Sequence, residues 1–61
     1  MIGNFSILLF SAASQPVAEV RLPAMTMVEA VEEARLMEFE CPFNDVLVVL
    51  WDDDNNKKVA F

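Results

Sequence analysis

Val46-Leu47-Val48-Val49-Leu50-Trp51 is followed by Asp52-Asp53-Asp54-Asn55-Asn56 and then by Lys57-Lys58-Val59-Ala60-Phe61. The first six residues are apolar without a break and rich in branched side chains, the pattern of a strand buried on both faces. Five consecutive Asp and Asn residues make a turn, because both types tolerate left-handed backbone and bond to nearby amides. Lys57–Phe61 returns as a short strand, so the segment reads as a hairpin. A strand buried on both faces belongs inside a sheet, and the rest of the chain must supply its other neighbour.

That neighbour is Phe5-Ser6-Ile7-Leu8-Leu9-Phe10, a short apolar run bounded by Gly3-Asn4 and Ser11. Ser11–Pro16 is a small polar turn that ends on proline. Val17-Ala18-Glu19-Val20-Arg21-Leu22 follows, with Glu19 and Arg21 on one face and Ala18, Val20 and Leu22 on the other, the alternation of a half-exposed strand. Pro23 closes it. Thr26 and Glu29 stand at capping-box spacing: the hydroxyl can accept the Glu29 N–H while the carboxylate reaches back to the Thr26 N–H. From there Met27, Ala30, Val31, Ala34 and Met37 form one helical stripe, and Glu29, Glu32, Glu33 and Glu40 fall on the opposite side. Pro42 disfavours helical geometry at Cys41, so the helix is expected to end by about Glu40.

The pattern predicts a single α+β domain over residues 1–61, ordered ββαββ. Two hairpins joined by a helix that crosses the sheet bring the third strand beside the first. The sheet order is then 2-1-3-4, antiparallel throughout, with one helix packed on one face. This order puts the two most apolar strands in the centre and leaves VAEVRL and KKVAF at the edges, where charge deters edge-to-edge aggregation.

Composition narrows the functional classes. A chain of 61 residues buries only about 60% of its unfolded surface, and small folds are usually reinforced by disulfides, metal or a partner. One cysteine, Cys41, cannot form an internal disulfide, and the chain has no histidine. Association with another chain is therefore the expected reinforcement. An apolar fraction of 56% is too high for disorder despite the net charge of −6. Four basic residues against ten acidic ones argue against direct nucleic-acid binding, which needs a Lys/Arg footprint, and against an anionic membrane surface. No segment is long enough to span a bilayer. Phe5–Ser14 has the look of a signal-peptide apolar region, but no Lys or Arg precedes it and cleavage there would discard a strand. The expected location is the cytoplasm, where a free thiol stays reduced.

Chemistry is sparse. Without histidine there is no His-dependent triad or general base. Cys41 follows the negative end of the helix beside Glu38 and Glu40, which disfavours a thiolate, and it reads as a small apolar filler. Asp52, Asp54 and Asn56 make the first half of a calcium-loop pattern, but Lys57 stands where that loop needs glycine. A single glycine rules out a phosphate-cradling loop. The expectation is a non-enzyme with no cofactor and no metal.

Surfaces are what remain. The helix's outer side carries Leu36 among Glu29, Glu32, Glu33 and Glu40, and with the turn Asp52-Asp53-Asp54 it is the candidate partner-binding surface. If Phe5, Ile7 and Leu9 face the helix, Leu8 and Phe10 face away, joined by either Leu47-Val49-Trp51 or Val46-Val48-Leu50. An apolar face of this kind is expected to be covered, by a second copy or by a different protein. As a homodimer interface it would comprise Leu8, Phe10, Leu47, Val49 and Trp51, with Glu19 and Arg21 as a polar rim.

The segment Val20-Arg21-Leu22-Pro23-Ala24-Met25-Thr26-Met27-Val28-Glu29-Ala30-Val31-Glu32-Glu33-Ala34, set between a strand hairpin and a returning strand, resembles the small coliphage-encoded inhibitors of bacterial RNA polymerase. The resemblance implies the ββα-strand layout and a phage or mobile-element protein acting on host machinery in the host cytoplasm. Those inhibitors engage polymerase through arginines on the strand after the helix. Here that strand is VLVVLW, so no functional residue carries over. The resulting expectation is a small acidic protein that blocks a host or defence protein by direct contact. Ten carboxylates could also imitate nucleic-acid phosphates. The alternative is a homodimeric structural or regulatory module with no inhibitory role.

Overall fold

The computed structural model describes residues 1–40 and 46–61. Its elements are β1 (Ile2–Gly3), β2 (Phe5–Phe10), β3 (Pro16–Arg21), β4 (Met25–Thr26), α1 (Met27–Glu40), β5 (Leu47–Asp52) and β6 (Lys57–Val59). The protein is α+β. The four longer strands pair in the order β3-β2-β5-β6, every pair antiparallel. This is the expected arrangement, with the second strand of the pattern outermost and the two apolar strands in the middle. The reading of Cys41 as an apolar filler lies outside the described residues.

Register decides which side chains share a face. Ile7 pairs with Val20 on one side and Leu50 on the other, and Leu50 pairs in turn with Val59. This row faces α1. Phe5, Ile7, Val48, Leu50 and Val59 form the core with Ala30 and Ala34 of the helix, and Leu9, Val20, Leu22, Met25, Val31 and Met37 pack around it. Ile7 and Leu50 are wholly buried, and burying a side chain of that size contributes about 1.5–3 kcal/mol. Alanines at 30 and 34 put only a methyl group between the helix backbone and the sheet, which lets α1 lie close against β5.

The capping box forms as the spacing predicts. Glu29 N donates to Thr26 Oγ1 at 3.2 Å, and Thr26 N donates to Glu29 Oε1 at 3.2 Å. Two of the unpaired N–H groups at the helix start are thereby satisfied.

Four details differ from the sequence pattern. The chain adds β1 and β4, which pair Ile2 with Thr26 and Gly3 with Met25. Strands of two residues carry too little alternation to be read from sequence. The Ser11–Pro16 turn closes through Ser11 N to Gln15 O and Ser14 N to Ser11 O, both 2.9 Å, with Ser14 at a φ of 61°. A bulge then shifts the register at Phe10, which pairs with Pro16; proline has no N–H to give the ladder, and a bulge accommodates it. The third long strand is shifted by one residue from VLVVLW, to Leu47–Asp52, and the last stops at Val59. Met27, expected on the inner stripe, is exposed; it borders an open cavity with Met1, Ile2 and Phe5 at the end of the sheet.

Candidate functional site

The three aspartates of the turn are used by the fold itself. Asp52 ends β5 on the helix side, paired with Phe5, and is only 3% exposed. Its carboxylate accepts hydrogen bonds from Asn55 Nδ2 at 2.8 Å, Asp54 N at 3.1 Å and Asn55 N at 3.2 Å. Asp53 Oδ2 accepts the Ser6 hydroxyl at 2.6 Å. Asp54 receives both the backbone N–H and the side-chain amide of Asn4, at 2.9 and 3.0 Å. Asn4 O in return accepts Asp53 N at 2.9 Å. The acidic turn thus clamps the start of β2 to the end of β5. A Cβ on Gly3 would come within 3.1 Å of Asp54 Oδ2, so this close approach favours glycine there.

The amide of Asn55, reinforced by the Asn55 and Asp54 backbone N–H groups and by the Lys57 charge, holds the Asp52 carboxyl below the usual carboxylate range. Burial pulls the other way and is outweighed. A carboxylate held this way stays ionised and acts as a fixed acceptor, not as a proton carrier. The adjoining cavity, about 290 Å³ and lined by Met1, Ile2, Phe5, Met27, Asp52 and Asp54, therefore holds carboxylates already committed to amides. Among the described residues no three Asp, Glu or Cys side chains come together as metal ligands, and no helix is long and apolar enough to cross a membrane.

The open face of the sheet is assembled by register. Ser6 lies between Arg21 and Trp51, Leu8 between Glu19 and Val49, and Phe10 beside Leu47. Of the two β5 sets that could have faced outward, it is Leu47, Val49 and Trp51 that join Leu8 and Phe10. Arg21 Nε lies 3.6 Å from Glu19 Oε1 on the exposed edge, a pair worth little in water. The face partly shields itself: Val49 is only 9% exposed, while Leu47 at the end of the strand is 59% exposed.

The outer side of α1 is more open. Glu29, Glu32, Glu33 and Glu40 are all exposed, as is Leu36 at 52%. Two further residues join Leu36 that the pattern of glutamates had masked: Val28, 67% exposed, and Phe39, 88% exposed. Glu32, Arg35, Leu36 and Phe39 line a shallow groove of about 480 Å³. The spacing of 28, 32, 35 and 39 was the available signal, since it repeats every 3.5 residues on average. The helix is therefore apolar on two sides.

A scan against protein-family profiles found no match, and neither did searches among curated proteins and solved structures.

Proposed function

We propose that this is a protein-binding protein that works by covering a surface of its target, with the open face of the sheet as the contact. The observation that carries the reading is the row of Leu8, Phe10, Leu47, Val49 and Trp51 set on the side of the sheet away from α1, edged by Glu19 and Arg21. An apolar centre with a charged rim is the usual anatomy of a protein interface, and an aromatic such as Trp51 is the usual anchor. The polar chemistry points the same way, because the turn carboxylates bond within the fold. Blocking a host or defence protein is the activity that suits a small acidic binder, and the layout resemblance to phage inhibitors supports it. A homodimeric module without inhibitory action is the second reading, supported by the second apolar surface on α1.

Leu47→Asp tests the reading, because the residue is exposed enough for the variant to fold. Immobilised wild-type protein is expected to retain a partner from lysate of the cell that makes it. The purified partner is expected to bind Leu47→Asp about tenfold more weakly or worse. Equal binding by both proteins would remove the sheet face from the account.

A further inference from the structure

We propose that the outer face of α1 docks a second copy of this chain, as an antiparallel helix pair about a two-fold axis between Glu33 and Ala34. In this pair Val28 faces the partner's Phe39, and Glu32 faces the partner's Arg35.

Residues 28, 32, 35 and 39 are spaced four, three and four apart. That is the spacing of a two-helix seam, which keeps side chains against a partner helix; here its two ends are apolar and its two central positions are charged. The seam is also a palindrome of chemistry. Val28 and Phe39 are apolar and lie at equal distances from its midpoint, and Glu32 and Arg35 are oppositely charged and also lie at equal distances from it. An antiparallel two-fold pair sets each residue against its counterpart across that midpoint. Both outer contacts are then apolar on apolar and both inner contacts are acid on base.

A parallel pair fails on the same residues, since it would set Glu32 against the partner's Glu32 and Arg35 against the partner's Arg35. Arg35 is the one basic residue between Met27 and Glu40, and among the described residues it makes no salt bridge. Its guanidinium lies on the exposed side of α1, where a carboxylate of a second copy can reach it. The groove beside it is lined by Glu32, Arg35, Leu36 and Phe39 and lies toward the C-terminal end of the helix. The antiparallel arrangement delivers the partner's Val28 to that end, a small side chain against the large ring of Phe39. Phe39 at 88% exposure and Val28 at 67% gain the most from cover.

The contact is short. Fourteen residues of helix span roughly 21 Å at 1.5 Å per residue, below what an interface of about 1,200 Å² or more needs. The dimer is therefore weak and concentration-dependent. It leaves the open sheet face of each copy free, so it is independent of the function proposed for that face and would make the assembly bivalent.

Sedimentation equilibrium over a range from about 10 μM to about 1 mM, a span suited to weak complexes, is expected to show the mass rising from that of one chain toward two. Arg35→Glu and Glu32→Arg are each expected to weaken association about tenfold or more, because each sets like charges against one another in both inner contacts. The double variant Glu32→Arg with Arg35→Glu exchanges the charges across the axis and is expected to restore the dimer. Circular dichroism on each variant separates loss of folding from loss of docking. A chain that stays monomeric throughout the range, or a dimer indifferent to the single reversals, would overturn the proposal. So would a dimer that Leu47→Asp abolishes while Arg35→Glu spares it, and that outcome would place self-association on the sheet. Because the helix variants leave Leu47 and Phe10 untouched, they can fail without bearing on partner capture by the sheet face.

Discussion

Thr26 and the turn aspartates show how far a single residue can be read. The Thr26–Glu29 box is complete within one helical turn, so its partners are fixed by spacing, and the structure closes it with both reciprocal bonds. Thr26→Ala removes the acceptor for Glu29 N and is expected to destabilise the protein by about 1 kcal/mol. Denaturant melts of the two proteins check this, and an unchanged midpoint would mean that water replaces the cap without loss. Asp53 and Asp54 are the opposite case. Their composition announced a turn, but their hydrogen-bond partners, Ser6 and Asn4, lie 47 and 50 residues away in the chain. No local rule could have said that these carboxylates tie two strands together and are not simply a solvated tip.

At the scale of elements, the helix is where reading by period both worked and fell short. The inner stripe was legible through Ala30, Ala34 and Met37, because a sheet-facing helix must repeat apolar residues near every 3.6 positions. The outer seam is hard to read in the sequence because glutamates surround it, and because one helix seldom carries two apolar stripes unless it has two surfaces to meet. Ala34 is the place to test the inner contact. It is wholly buried, and a larger side chain would push α1 off β5. Ala34→Leu is expected to cost about 1–3 kcal/mol through overpacking. A stability equal to wild type would mean that the helix can ride further from the sheet than its alanines imply.

For the molecule as a whole, charge sets the response to acid. At a net charge of −6 the chain repels itself near neutral pH. Asp52 is where acid acts on the fold. Its carboxyl is held below the ordinary range in the fold, so the stability it contributes is full above its unfolded pKa and is lost as pH falls through its folded one. That window lies below about pH 4. Asp52→Asn keeps a side-chain oxygen as acceptor but cannot titrate. The difference in urea midpoint between wild type and Asp52→Asn is therefore expected to be largest near neutral pH and to shrink in acid below about pH 4. A difference constant with pH would show that the carboxylate's charge contributes nothing to the turn.

The sequence by itself determined the α+β class, the two long hairpins, the helix and its cap, and the central place of FSILLF and VLVVLW. Each of these follows from residues within one element, or from the need of a doubly apolar strand for neighbours on both sides. It also limited the chemistry, since a chain without histidine and with one cysteine has few catalytic groups to offer. Only the tertiary structure decided that Leu47, Val49 and Trp51, not Val46, Val48 and Leu50, share the open face with Leu8 and Phe10. That choice is one of register, and a slip by a single residue would exchange the two sets because side chains alternate across a strand. Register here depends on contacts between distant parts of the chain: Asp52 against Phe5, Asp53 and Asp54 against Ser6 and Asn4. Such contacts form only when the chain is folded, and no run of neighbouring residues encodes them.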